Sequence, residues 1–314
     1  MSLLKRFFQK DEVALSRLIS YVESQAPGYS KILSSIYSRT GKAYRIGITG
    51  PPGVGKSTIV DKLSNNLIQS GNQVGIIAVD PSSPFSGGAL LGDRIRMQDL
   101  TTKKEVFIRS MATRGSLGGL AFATKEVALL LDAFGKDFIL IETVGVGQVE
   151  LDIVDTCDTT LVVLVPESGD SIQAMKAGLM EIADILVVNK ADREGAKRIV
   201  SELDMILDVR REKGEWEYPI VSTEAVNNKG IDELLKRILE HRKYITESHL
   251  LEKHRKEQIK TELKKIIELK IKELIEKNLG DADIDQMAER VYSGQEDPYS
   301  AGEKILQRLN LNQP

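Results

Sequence analysis

From Tyr44 onward, short runs of β-branched and aliphatic residues alternate with longer stretches in which apolar positions recur every three or four residues. The short runs are YRIGIT (44–49), VGIIAV (74–79), EVFI (105–108), DFILIE (137–142), TLVVLV (160–165), DILVV (184–188) and YPIV (218–221). They are almost continuously apolar rather than alternating, the pattern of parallel strands buried on both faces. Strands that alternate with helical stretches predict βαβ units. The expected fold class is therefore α/β, with a doubly wound, mostly parallel sheet.

The two ends of the chain follow a different pattern. Val13, Leu15, Leu18, Ile19 and Val22 lie at helical spacing within 11–24, and APGYS then breaks the repeat. A second short helix is expected over 28–39, ended by RTGK. Beyond about Ile231 the strands stop. A long charged helix runs over 249–280, with Ile259, Leu263, Ile266, Ile267, Ile271 and Leu274 on one face. At ~100° per residue that stripe is about 140° wide. A single stripe leaves two options open: the helix packs back on its own domain, or it pairs with a second copy. The expected organisation is a helical segment at 1–42, an α/β domain at 43–240 and a helical arm at 241–314.

Composition narrows the chemistry. A net charge of −3 with no basic block argues against a nucleic-acid partner. No apolar run approaches the ~20 residues that cross a bilayer, and the N-terminus lacks a signal-peptide core, so a cytoplasmic protein is expected. Cys157 is the single cysteine, and His241, His249 and His254 are the only histidines. A site in the α/β region is left with carboxylates, Lys, Ser/Thr, backbone amides and a hard cation, and a Cys/His zinc centre is excluded there.

GPPGVGKST, Gly50, Pro51, Pro52, Gly53, Val54, Gly55, Lys56, Ser57 and Thr58, sits between a strand and a helix. That is the context in which G-x-x-x-x-G-K-[ST] binds a nucleoside triphosphate. Backbone amides and the helix N-terminus would hold the phosphates, Lys56 would neutralise their charge, and Ser57 would ligate Mg²⁺. Asp80, Asp93 and Glu142 are the carboxylates expected around that ion. Mg²⁺ keeps several waters, and the longer Glu142 suits contact through water.

DILVVNKAD (184–192) gives the base loop N-K-x-D. Asp192 would accept hydrogen bonds from guanine N1 and its exocyclic amine, a donor pair that adenine lacks. Asn189 and the stem of Lys190 would hold the loop and cover the ring, and the Ala225 amide in TEA would face guanine O6. GTP and GDP are thus the expected ligands.

Two further loops complete the expectation. Residues 108–121 carry Arg109 and Arg114, and residues 166–178 carry Asp170 and Lys176; both are expected at carboxyl ends of strands. In ETVGVGQ (142–148), Gly145 would give its amide to the γ-phosphate. The next residue is Val146 where many GTPases place a water-orienting Gln, and Gln148 comes two places late. Slow hydrolysis that a partner accelerates is expected.

Taken together, GITGPPGVGKST, AVDPSSPFSGGALLGDRIRM, SMATRGSLGGLA, ETVGVGQ, NKAD and EDPYSA resemble the MeaB/ArgK group of P-loop GTPases, within the SIMIBI class. The resemblance implies a GTPase chaperone that gates cobalamin loading and protects or reactivates an adenosylcobalamin-dependent acyl-CoA mutase. It also implies a homodimer formed through the C-terminal helices. The 166–178 loop becomes a third switch touching the mutase, so Lys56, Glu142, Gly145 and Lys176 form the expected catalytic and coupling set. The competing class is an ATP-using kinase of amino-acid transport proteins, a label this group has carried; the guanine loop and the want of an acceptor-activating base speak against it. A binding scaffold without hydrolysis is a third class.

Overall fold

The computed structural model describes residues 3–80, 98–112, 117–143, 156–167, 182–208 and 216–308. The chain divides into two compact units, Met1–Glu252 and Lys253–Pro314.

Three helices open the first unit: α1 (Leu3–Phe8), α2 (Glu12–Glu23) and α3 (Tyr29–Ile36), the last running into a 3₁₀ turn at Tyr37–Arg39. Asp11 caps α2, its Oδ1 accepting from the Val13 and Ala14 amides at 2.9 and 3.1 Å. The six residues of α1 are too few to show a helical repeat in the sequence, and only Phe7 is fully buried there. Then follow β1 (Tyr44–Thr49), α4 (Lys56–Gln69), β2 (Val74–Asp80), α5 (Gln98–Thr101), β3 (Val106–Ala112), α6 (Leu117–Phe134) and β4 (Phe138–Thr143). The unit continues with β5 (Thr159–Leu164), β6 (Ile185–Asn189), α7 (Ala196–Asp208), β7 (Ile220–Thr223) and α8 (Ile231–Glu247).

All seven apolar runs are strands of one sheet, ordered β3-β2-β4-β1-β5-β6-β7, and every pairing is parallel. Helices cover both faces. On one, Ile59, Leu63 and Leu67 of α4 and Leu234 and Ile238 of α8 meet Ile46, Ile48, Leu140, Leu161 and Val163. On the other, Leu15 and Leu18 of α2 and Val127 and Leu131 of α6 meet Ile77, Ile139 and Ile141, while Ile199 and Leu203 of α7 meet Val162 and Val188. Alternate residues of each strand thus feed opposite cores, which is why the runs look uniformly apolar. The chain enters mid-sheet at β1 through a clamp: the Asp132 carboxylate accepts from the Gly41, Lys42 and Ala43 amides at 2.6, 3.2 and 3.0 Å.

One expectation is corrected. Residues 108–112 belong to β3 and 117–121 to α6, so Arg109 stands in a strand rather than a loop. Its Nε donates to Glu23 Oε1 at 2.9 Å and its Nη2 to Ser20 Oγ at 3.1 Å, tying β3 to α2. Among the described residues β3 is the edge of the sheet and pairs only with β2. An edge strand tolerates polar residues such as Arg109 and Ser110, and these hid its continuation in the sequence.

The second unit holds most of α9 (Leu250–Asn278), then α10 (Asp281–Tyr292) and α11 (Pro298–Arg308). Asp297 caps α11 through the Tyr299 and Ser300 amides at 2.9 and 3.0 Å. All six residues of the predicted α9 stripe, Ile259, Leu263, Ile266, Ile267, Ile271 and Leu274, are between 37% and 56% exposed. No helix among the described residues is long and apolar enough to cross a membrane.

Candidate nucleotide-binding site

The site is assembled at the carboxyl edge of the sheet, where β1, β4, β6 and β7 all end. β1 leads into Gly50, whose φ is 137° and whose Cβ, were there one, would lie 2.2 Å from the Val163 carbonyl oxygen of β5. Only glycine fits, because the backbone passes directly against the neighbouring strand. Pro51, Pro52 and Gly53 arch outward, and Val54 turns back into the core at 1% exposed. Gly55, with φ 95°, opens α4 without a side-chain cap, so the first amides of α4 point into the loop. A Cβ on Gly55 would strike Asn189 Nδ2 at 2.4 Å.

Lys56 is 5% exposed, and its ammonium donates to the Gly50 and Pro51 carbonyls at 2.6 and 2.9 Å. Its ammonium thus lies inside the loop. Ser57 follows, and its Oγ donates to Glu142 Oε1 at 2.5 Å. This brings the end of β4 to the first turn of α4. Thr58 is half-buried one position further on.

Asn189, the last residue of β6, is the hub of the base side. Its Nδ2 donates to the Val54 carbonyl at 2.8 Å, while its Oδ1 accepts from Thr223 Oγ1 at 3.0 Å and the Ala225 amide at 3.1 Å. The Ala225 amide, expected to face guanine O6, is therefore directed to Asn189, and Ala225 serves the base loop by fixing that side chain. Thr223 was not foreseen, although a hydroxyl two residues before Ala225 was a signal available in the sequence. Lys190 takes φ 57° and stretches over the loop to donate from Nζ to the Gly53 carbonyl at 2.9 Å. The Ala191 amide donates to the Thr223 carbonyl at 3.0 Å, and Asp192 follows, exposed.

Asp80 ends β2, whose preceding residue Val79 is level with Thr143 of β4, so its backbone reaches the same edge. Asp93, Gly145 and Lys176 lie outside the described residues, as do Arg114, Val146, Gln148 and Asp170. Among the described residues no three His, Cys, Asp or Glu side chains gather into a metal cluster. The donors that do converge, the Ser57 hydroxyl and the Glu142 carboxylate, are hard oxygens suited to Mg²⁺, and a hydroxyl that coordinates a cation still has its proton to give to Glu142.

His241 lies at the opposite edge. It is buried, its Nδ1 within 2.8 Å of Thr159 Oγ1 and its Nε2 3.5 Å from Asp184 Oδ1. Both partners stand at amino ends of strands, so this cluster has no part in the nucleotide site.

A family model described as methylmalonyl Co-A mutase-associated GTPase MeaB matches residues 15–279. A Pyrococcus abyssi protein carrying a provisional GTPase name is 50% identical over 310 residues, 98% of this chain and 96% of its own. GTPase ArgK of Escherichia coli is 35% identical over 263 residues, 81% of this chain and 80% of its own. A crystal structure described as that of a LAO/AO transport system kinase superposes with a TM-score of 0.73 at 27% identity, covering 98% of this chain and 96% of that one. The P-loop, the Ser57–Glu142 contact and the Asn189-centred base loop all fall within the matched span. The chain belongs to the MeaB family of GTPases.

Proposed function

We propose that this chain is a cytoplasmic GTP-hydrolysing chaperone of an adenosylcobalamin-dependent acyl-CoA mutase, gating cofactor loading and protecting or reactivating the enzyme. The observation that carries the guanine reading is the Asn189 hub, which joins the phosphate loop to the NKAD loop and leaves Asp192 exposed beyond it. The mutase reading leans on the family description and on a mouse relative, the mitochondrial methylmalonic aciduria type A homolog. That protein is 40% identical over 195 residues, 61% of this chain and 47% of its own.

In this reading, the amides of Gly53, Val54, Gly55, Lys56, Ser57 and Thr58 bind the phosphates while Gly50, Pro51 and Pro52 shape the turn. Lys56 exchanges its carbonyl partners for phosphate oxygens, a change from neutral to charge-assisted hydrogen bonds that favours the bound state. Ser57 would hold Mg²⁺ directly, with Asp80, Asp93 and Glu142 around it, some of them through water. Bound Mg²⁺ supplies neutralisation of the charge that develops on the phosphate oxygens. Gly145 gives its amide to the γ-phosphate, and Lys176 couples the site to the mutase. Since Val146 cannot orient a water, hydrolysis is slow until the partner reorganises the loops. The exposed α9 stripe pairs two copies into a homodimer.

Nucleic acid and membrane are not partners in this reading. The kinase name of the solved relative keeps a second one in view, an ATP-using transport-system kinase. Affinity capture from native extract on the GTP-analogue-loaded chain tests the proposal. A cobalamin-dependent mutase retained with the GTP analogue and lost with GDP supports it; ATP-dependent labelling of a transport protein with no mutase retained overturns it.

A further inference from the structure

Two buried threonines at the carboxyl edge have no role in the site described above. Thr143 ends β4, Thr49 ends β1, and Thr143 Oγ1 donates to Thr49 Oγ1 at 2.9 Å. Thr49 directly precedes Gly50 of the phosphate loop, and Thr143 directly follows Glu142. Successive side chains of a strand leave opposite faces. Glu142 therefore reaches Ser57 on the α4 face, while Thr143 reaches Thr49 on the α6 face.

The backbone register of β1 with β4 ends at Ile48↔Glu142. One residue further, where β1 turns into the phosphate loop, the hydroxyl bond ties the two strand ends together. A strand end held on one face by Glu142 and on the other by Thr143 cannot swing without breaking one of them. We propose that Thr143 and Thr49 are a positioning pair that sets Glu142 against the Ser57 hydroxyl, and so sets the chain's grip on Mg²⁺ when nucleotide is bound. The inference rests on the GTPase reading of the site and adds to it two residues that touch neither nucleotide nor metal.

The test uses the full chain carrying Thr143→Val, Thr49→Val, both changes together, or Thr143→Ser. Release of a fluorescent GDP analogue is followed across a titration of free Mg²⁺, beside thermal unfolding. Thr143→Val should raise the Mg²⁺ needed for half-maximal retention roughly threefold to tenfold, the scale of one lost buried hydrogen bond. Thr143→Ser should restore the parent value, and the double variant should be no worse than either single one, since both lose the same bond. Should Thr143→Val fail to fold, Thr49→Val carries the same expectation. An unchanged Mg²⁺ dependence in a folded variant overturns the inference, as does a loss of GDP affinity that is equal with and without Mg²⁺. If the parent chain itself retains GDP without regard to Mg²⁺, the underlying nucleotide-site reading fails first, and the two failures are told apart.

Discussion

Asn189 Nδ2 donates to the carbonyl oxygen of Val54 at 2.8 Å, so the base loop and the phosphate loop share one buried side chain although 135 residues separate them. Asn189→Ala removes this bond and leaves the Thr223 hydroxyl and Ala225 amide without their acceptor. Each buried group so orphaned costs about 1–3 kcal/mol. The expected outcome is a nucleotide affinity lower by at least roughly 30-fold, with a thermal midpoint lowered by several degrees. Titration of a fluorescent GDP analogue beside calorimetry checks both; an affinity within about threefold of the parent would contradict the hub.

Asp192→Asn changes what the base loop accepts. The amide can donate where the carboxylate only accepted, so GTP binding should weaken roughly 100-fold or more while xanthosine triphosphate improves. Competition of the two nucleotides against a fluorescent GDP analogue reads this out. Equal loss for both would mean that Asp192 supports the loop without reading the base.

Gly50 and Gly53 both have positive φ, yet substitution should separate them. Alanine at Gly50 drives its Cβ into the Val163 carbonyl, whereas alanine at Gly53 meets nothing within 4 Å. Gly50→Ala should cost about 2–4 kcal/mol of folding stability, and Gly53→Ala only the roughly 1–2 kcal/mol of a left-handed non-glycine residue. Urea unfolding of the two variants measures the gap, and equal midpoints would refute the close approach.

The pH dependence of folding has an identifiable source. Burial pushes the Asp184 carboxyl up to about 7, only partly offset by the Thr160 amide donating to it at 2.7 Å. His241 Nε2 of α8 lies 3.5 Å from it, and it also acts on Tyr44 of β1, over whose ring Arg242 lies and beside which Asp158 pairs with Arg45. A carboxyl raised above its unfolded value near ~4 stabilises the fold most at low pH. That contribution is lost as the pH climbs from about 4 through about 7. The side chain keeps 32% of its surface, so solvent softens the effect. The slope should flatten in Asp184→Asn. The single tryptophan reports locally: the Trp216 ring lies 4.8 Å from the His241 ring, and its emission should change near neutral pH in the parent chain only. An unaltered profile in Asp184→Asn would remove Asp184 as the source.

The parallel sheet was legible because strands buried on both faces leave uninterrupted apolar runs, and each of the seven runs became a strand. The end of β3 was not legible, because an edge strand need not be apolar and Arg109, which binds Glu23 of α2, has the composition of a loop residue. The gathering of Lys56, Ser57 and Asn189 at one edge of the sheet was legible because their motifs impose fixed spacing along the chain. The Thr49–Thr143 pair was not, since each partner comes from another strand and no spacing announces it, whereas Thr223 left only the weak signal of a hydroxyl two residues before Ala225. The bond from the Ala225 amide to Asn189 was hidden for the same reason: which neighbour that amide meets depends on how β6 and β7 lie side by side.

The α9 stripe makes a prediction about assembly. Six exposed aliphatic residues on one charged helix should associate, and charge at two of them should prevent it. Leu263 and Ile267 sit one helical turn apart near the middle of the stripe, so Leu263→Glu with Ile267→Glu is the informative double change. Sedimentation should find a dimer in the parent chain and a monomer in the double variant, with nucleotide affinity retained. A monomeric parent chain at micromolar concentration would contradict this.

The central claim is most directly tested by single-turnover hydrolysis of GTP and ATP by the purified chain with Mg²⁺, with and without an adenosylcobalamin-dependent acyl-CoA mutase. The predicted result is slow phosphate release from GTP alone, faster release with the mutase, and none from ATP in either condition. Turnover of ATP, or rapid GTP hydrolysis that the mutase leaves unchanged, would contradict it.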